Sequence, residues 1–180
     1  MAKKILDKLF GRVKLLILDV DGVLTKGEII YDDTGRELKI FNVKDGLGIF
    51  LLKFAGVKTI LLTAKDGAVV RKRAKDMRVE QVIAGVLPKE KAISGILKRY
   101  SVATDEICFV GDDLIDIGMM QKVGLPVAVN DAPLAVKKHA VYITKNKGGC
   151  GAVREVIDKI ISYRKLGNKI NAFLKNPTLL

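Results

Sequence analysis

Short apolar runs alternate with amphipathic stretches along the chain. Residues 14–20 form an apolar run that ends on acid, the mark of a strand buried on both faces. Residues 57–62 and 107–110 repeat that pattern, and 81–83, 126–129 and 141–143 are shorter candidates. Between them the spacing predicts helices over 46–54, 68–77, 89–100 and 114–123, with a last one over about 152–163. This alternation predicts an α/β fold, a doubly wound, Rossmann-like parallel sheet with helices on both faces. One segment breaks the rhythm. Residues 28–31 and 37–41 flank Asp32-Asp33-Thr34-Gly35, a turn-forming centre between β-branched and aromatic flanks. A β-hairpin insertion is therefore expected at about 28–41, directly after the first strand. That position lies over the carboxyl ends of the strands, where such sheets bind ligands.

The start of the chain is basic, but Asp7 and Arg12 interrupt its apolar residues and no small-residue cleavage site follows. It reads as a short amphipathic helix leading into the first strand. One domain is expected over 1–167. The tail 168–180 lacks clear periodicity and is expected to be mobile.

Composition narrows the class. A chain of 180 residues suits one domain whose core needs no disulfide or metal staple. Hydrophobic residues at 49% and charged residues at 29% belong to a folded chain rather than a disordered one. No apolar stretch approaches the roughly 20 residues needed to cross a bilayer, so no membrane partner is expected. Cys108 lies in an apolar run and Cys150 in a Gly-rich loop; nothing pairs them, so a cytoplasmic location is expected. The formal charge of +12 attracts anions of any kind without choosing among them. Aromatics at only 6%, no Trp and no basic stripe on any helix argue against nucleic acid as the partner.

The chemistry gathers at strand ends. The first strand runs into Asp19-Val20-Asp21-Gly22-Val23, so two carboxylates leave it on the same side. Burying them is costly unless a cation sits with them. Residues 107–110 run into Gly111-Asp112-Asp113-Leu114-Ile115-Asp116, a second acidic cluster that opens a helix. A helix cap is the plainer alternative for a single acidic strand end such as Asp113. Two such clusters on one parallel sheet converge at one rim, and hard oxygen donors favour Mg²⁺ over zinc. A third strand ends in Thr63-Ala64-Lys65-Asp66. Lys89 and Lys91 open a helix after Pro88, where the helix dipole disfavours a cation. Singly, Thr63 is a cap and each lysine one among many. Together the set is an inventory for phosphoryl transfer. One carboxylate attacks phosphorus, its neighbour protonates the leaving oxygen and then activates water, and the metal, lysine and hydroxyl neutralise the phosphoryl oxygens. A phospho-accepting signalling domain uses a similar set. It carries the phosphorylated aspartate on a strand after the acid pair, which this order does not match. His139, the single histidine, reads as a surface or packing residue.

Asp19-Val20-Asp21-Gly22-Val23-Leu24-Thr25 resembles motif one of the haloacid dehalogenase-like superfamily of phosphatases, and the 111–116 cluster resembles its motif four. Dehalogenase members lack the second motif-one aspartate, so Asp21 points to phosphate chemistry. Gly35-Arg36-Glu37-Leu38-Lys39-Ile40-Phe41-Asn42-Val43-Lys44-Asp45-Gly46-Leu47-Gly48 and Gly148-Gly149-Cys150-Gly151-Ala152-Val153-Arg154-Glu155 resemble, more narrowly, the 3-deoxy-D-manno-octulosonate 8-phosphate phosphatase family. The resemblance spans about 14–163. It implies a Mg²⁺-dependent phosphomonoesterase of lipopolysaccharide precursor synthesis that acts through an aspartyl-phosphate. It also implies a homotetramer without a separate cap domain, whose subunits help close each other's sites through the hairpin and the Gly-rich segment. A phosphatase of a related sugar acid, such as N-acylneuraminate 9-phosphate, is the alternative.

Carried over by residue, the resemblance makes Asp19 the nucleophile and Asp21 the general acid/base. Asp19 and Asp112 become carboxylate ligands of Mg²⁺, and Asp21 a ligand through its backbone carbonyl. Thr63 binds the phosphoryl group and Lys89 neutralises it, with Lys91 the runner-up. Asp113 and Asp116 act from behind the ligands. The family's motif two usually shows Thr or Ser followed by Gly-Arg. Here it reads Thr63-Ala64-Lys65, so Lys65 stands as a looser cation near the substrate. Arg71 and Arg73 follow on the next helix as further candidates, and Arg154 is a candidate anion contact. The Gly148–Gly151 stretch by itself reads as a turn; the resemblance makes it a mobile segment beside a substrate pocket.

Overall fold

A computed structural model describes residues 2–175. A helix, α1 (Ala2–Arg12), leads into β1 (Leu15–Leu18), every residue of which is buried. The hairpin follows as β2 (Ile30–Tyr31) and β3 (Glu37–Leu38), a separate two-stranded ladder. The remaining strands are β4 (Lys58–Thr63), β5 (Gln81–Ala84), β6 (Ile107–Gly111), β7 (Leu125–Ala128) and β8 (Tyr142–Ile143). With β1 they form a six-stranded parallel sheet in the order β5-β4-β1-β6-β7-β8. The order reverses at β1, which pairs Leu18 with Leu61 of β4 on one side and with Val110 of β6 on the other. The residues that follow β1, β4 and β6 therefore emerge side by side on one rim.

The helices are α2 (Val43–Phe54), α3 (Ala68–Asp76), α4 (Ile93–Tyr100), α5 (Ile117–Met120), α6 (Leu134–Lys137), α7 (Ala152–Tyr163) and α8 (Gly167–Lys175). Helix α7 packs against both α1 and α2. The core runs through the central strands, with Leu16, Ile17, Ile60 and Phe109 on 0% exposure, into Val153, Ile157 and Ile160 of α7. Each such side chain contributes about 1.5–3 kcal/mol of burial.

Three expectations are corrected. Helix α2 starts at Val43 rather than Gly46, because the Asn42 side chain accepts from Lys44 N at 2.8 Å and caps it. The helices expected over 89–100 and 114–123 each begin with a tight 3₁₀ turn, Lys89–Ala92 and Leu114–Asp116, and α5 ends at Met120. Each turn carries a buried charged side chain, Lys89 or Asp116, bonded to the other. The tail is not aperiodic: over Gly167–Lys175 it is helical, with Ile170 buried and Phe173 stacked on Phe54 at 4.0 Å between centroids. Its anchor is an aromatic pair on α2, far away in sequence, so its own spacing carried little signal. Residues 176–180 of the expected mobile tail lie outside the described residues. Among the described residues no separate cap domain covers the rim, and no helix is long and apolar enough to cross a membrane.

Candidate active site

Asp19 directly follows β1 and is 5% exposed; its N–H donates to Val110 O at 3.0 Å, which holds it in line with β6. The chain then turns sharply. Val23, Leu24 and Thr25 all donate their N–H to Val20 O, at 3.3, 2.9 and 3.2 Å. Gly22 has φ +85°, and a Cβ there would lie 2.0 Å from Asp112 Oδ2. The glycine of the first motif thus serves both the turn and the approach of the second acidic cluster.

Lys89 is wholly buried, and its Nζ lies 2.8 Å from Asp19 Oδ1 and 2.6 Å from Asp116 Oδ1. Lys91 instead is exposed and borders a cleft with Ile83 and Ile96. The other Asp116 oxygen accepts from Asp112 N at 2.8 Å and Asp113 N at 3.2 Å. Asp113 is exposed and caps Leu114 N at 2.7 Å, the plain cap role. Asp19, Asp112 and Asp116 each offer a carboxylate oxygen within 4.8 Å of the others.

Both oxygens of Asp116 are engaged. Asp112 Oδ1 is buried and has no hydrogen-bond partner among the described residues. Burial pushes the Asp19 carboxyl up to about 6, with Lys89 pulling it back and Asp116 adding to the rise. Burial, then the charges of Asp19 and Asp116, push Asp112 up to about 8. Burial works against the Lys89 ammonium, yet the two aspartates together hold it above the usual lysine range. Three carboxylates face one ammonium, and the unpartnered oxygen and raised acids mark a deficit of positive charge. An all-oxygen donor set with a buried, unpartnered Asp112 Oδ1 fits Mg²⁺.

Thr63 ends β4 and is buried; its hydroxyl accepts from Lys65 N at 3.3 Å. Lys65 is exposed and its Nζ lies 2.8 Å from Glu37 Oε2 of the hairpin. Asp21 pairs with Lys39 Nζ, which also lies 3.1 Å from Glu37 Oε1. Burial opposes the charge on Lys39, but Asp21 and Glu37 hold its ammonium above the usual range. Glu37 and Lys39 join the site beyond the residues that the strand ends point to. Their signal was two opposite charges two positions apart on a hairpin strand, hence on one face.

Arg73 borders a cleft of ≈ 420 Å³ with Lys39, Phe41 and Val69, and its guanidinium lies over the Phe41 ring at 5.6 Å. Arg71 is drawn to Asp66 at 2.7 Å and Arg154 to Asp158 at 2.8 Å, neither at the acidic cluster. His139 is exposed and lies 3.5 Å from Gln121 Nε2. Gly148 and Gly149 pack directly on the turn that carries Asp21. Gly149 N donates to Val23 O at 2.9 Å, Gly148 N donates to Asp131 Oδ1 at 2.9 Å, and a Cβ on Gly148 would lie 1.7 Å from Gly22 O.

Residues 60–157 match the family model of haloacid dehalogenase-like hydrolases. The chain is 41% identical to the 3-deoxy-D-manno-octulosonate 8-phosphate phosphatase of Escherichia coli K12 over 83% of this chain and 79% of that protein. It superposes on the phosphatase of the same name from Yersinia pestis with TM-score 0.88 and 35% identity, covering 93% of this chain and 89% of that one. The phosphatase of that name from Moraxella catarrhalis, solved in complex with magnesium ion, phosphate ion and KDO, matches with TM-score 0.88 and 33% identity over 96% of this chain and 98% of that one. The chain belongs to the 3-deoxy-D-manno-octulosonate 8-phosphate phosphatase family of haloacid dehalogenase-like hydrolases.

Proposed function

We propose that the chain is a Mg²⁺-dependent phosphomonoesterase that hydrolyses 3-deoxy-D-manno-octulosonate 8-phosphate to the free sugar acid and phosphate, a step of lipopolysaccharide precursor synthesis in the cytoplasm. The observation that carries the reading is the contact of Lys89 Nζ with Asp19 Oδ1 at 2.8 Å, beside Asp112 and on the same rim as Thr63. Mg²⁺, when bound, would be held by the Asp19 and Asp112 carboxylates and the Asp21 backbone carbonyl, and would supply positive charge for the phosphoryl oxygens.

The chain's own groups do the rest. The Asp19 carboxylate attacks phosphorus and the bond from phosphorus to the sugar oxygen breaks. Asp21 gives that oxygen its proton, which leaves an aspartyl-phosphate on Asp19. Asp21 then takes a proton from water as the water oxygen attacks phosphorus, and the bond to Asp19 breaks to free the carboxylate. Lys89 and the Thr63 hydroxyl hold the phosphoryl oxygens during both steps. Asp116 fixes Lys89 and orders the backbone at Asp112, and Asp113 caps the following turn. Lys65 stands at the sugar-acid end of the site.

An assembly of copies, a homotetramer by family likeness, belongs to this reading. Ile29, Tyr31, Ile40 and Val43, at 69%, 60%, 64% and 78% exposure, gather on the hairpin and the start of α2, an apolar face suited to contact with another copy.

A second reading keeps the chemistry and changes the ester. Lys65 stands where the family's motif two carries arginine and is paired with Glu37, so a related sugar acid such as N-acylneuraminate 9-phosphate is the alternative substrate. The ranking of kcat/KM over a panel of octulosonate, neuraminate, hexose and nucleoside monophosphate esters decides between them. A preference of tenfold or more for the octulosonate ester is expected; a preference for the neuraminate ester selects the second reading.

A further inference from the structure

Asp21 stands apart from the acids around Lys89. Its carboxylate is 40% exposed, whereas the Lys39 side chain that meets it is only 7% exposed. Lys39 Nζ is held by Glu37 Oε1 at 3.1 Å, and Glu37 Oε2 in turn holds Lys65 at 2.8 Å. Charges of alternating sign thus run from the turn after β1, across the hairpin, to the loop after β4. Within the pair, the lysine is the fixed member: its stem is buried and two carboxylates share its ammonium. The aspartate is the member with room to move.

We propose that Lys39 is a positioning residue for Asp21, so that the hairpin, and not the motif-one turn alone, sets where the acid/base carboxylate lies. Glu37 supports the role by keeping the Lys39 ammonium at the hairpin instead of letting it fall onto the unpartnered oxygen of Asp112. The proposal rests on the phosphomonoesterase reading. Proton transfer needs the carboxyl within about 2.6–3.2 Å of the leaving oxygen, and a misplacement of about 1 Å is enough to cost on the order of 100-fold in rate. An exposed ion pair would do little; the burial of Lys39 is what gives this one a fixed address.

The test compares wild type, Lys39→Met and Lys39→Arg with Mg²⁺ on two esters, 3-deoxy-D-manno-octulosonate 8-phosphate and p-nitrophenyl phosphate. The sugar alkoxide needs a proton to leave; p-nitrophenolate does not. In rapid-quench and stopped-flow measurements of the first turnover, Lys39→Met is expected to lose about 10–100-fold on the sugar ester, part of the usual acid–base contribution. KM should stay within about threefold, the loss on the nitrophenyl ester should be at least about fivefold smaller, and Lys39→Arg should recover part of the rate. Lys39→Gln gives the same comparison should the methionine variant fail to fold. First-turnover rates within about twofold of wild type, or equal losses on both esters, overturn the positioning role while leaving the phosphatase reading intact. A wild type that turns over neither ester overturns that reading, and the role of Lys39 with it.

Discussion

Lys89 Nζ and Asp116 Oδ1 lie 2.6 Å apart, and neither side chain reaches solvent. A buried pair of this kind is costly to break, because the surviving charge has no water to turn to. Lys89→Met leaves three carboxylates facing one another, and the metal-free protein is expected to lose about 3–5 kcal/mol. At about 2–4 °C per kcal/mol for a chain of this size, that is a fall of roughly 10 °C in melting temperature. Lys91→Met, on an exposed side chain, is expected to stay within about 0.5 kcal/mol and to keep full activity. Calorimetry and phosphate release on the two variants check this; matching behaviour would dissolve the distinction between the two lysines.

The acids of the site give a pH signature to the metal-free protein. Burial pushes Asp19 up to about 6 and Asp112 up to about 8. An unfolded chain releases those protons near pH 4, so between pH 4 and 8 the folded state binds more of them. Stability from these groups is therefore present at low pH and is lost as pH rises through about 6 to 8. A Mg²⁺ ion requires the ionised carboxylates. The rise in melting temperature on adding Mg²⁺ is thus expected to be larger at pH 8 than at pH 6. In Asp112→Asn the metal-free protein should gain a few degrees at pH 8 and respond little to Mg²⁺. Equal Mg²⁺ responses at the two pH values would contradict the assignment.

Gly22 tests the spacing of the two acidic clusters. It combines φ +85° with a virtual Cβ 2.0 Å from Asp112 Oδ2, whereas Gly35 in the hairpin turn has φ +79° with open space around it. Both alanine variants carry a left-handed strain of about 1–2 kcal/mol. Only Gly22→Ala displaces a proposed metal ligand, so its Mg²⁺ affinity by calorimetric titration is expected to fall about tenfold or more, the scale of a disturbed metal shell. Gly35→Ala should bind Mg²⁺ like the wild type.

Helix α8 tests the corrected tail. Phe173 stacks on Phe54 at 4.0 Å and meets Phe50 edge-on at 5.8 Å. Phe173→Ala is expected to cost about 1–3 kcal/mol from lost burial and aromatic contact, read as a lower melting temperature with kcat unchanged. A fall in kcat with no change in melting temperature would contradict a purely structural role for this helix.

The parallel sheet was legible because buried strands announce themselves locally: the apolar runs before Asp19, Thr63 and Asp112 need no partner to be seen. The convergence of Asp19 with Asp112 also followed from the chain, since acids after strands of one parallel sheet must share a rim. What stayed hidden depends on partners far away in sequence. Asp113 and Asp116 are three residues apart in one acidic cluster, yet only the position of Lys89 separates a solvent cap from a buried ion pair. From the chain alone Lys65 reads as a looser cation near the substrate, and the hairpin's Glu37 pairs with it. The α8 helix was missed for the same reason, its anchor being the aromatic pair on α2.

The most direct test of the account is phosphate release from 3-deoxy-D-manno-octulosonate 8-phosphate with and without Mg²⁺, in the wild type and in Asp19→Asn. Turnover is expected to require Mg²⁺ and to fall to background in Asp19→Asn, whose amide cannot attack phosphorus. Release that persists in Asp19→Asn, or none from a folded wild type that binds Mg²⁺, would contradict it.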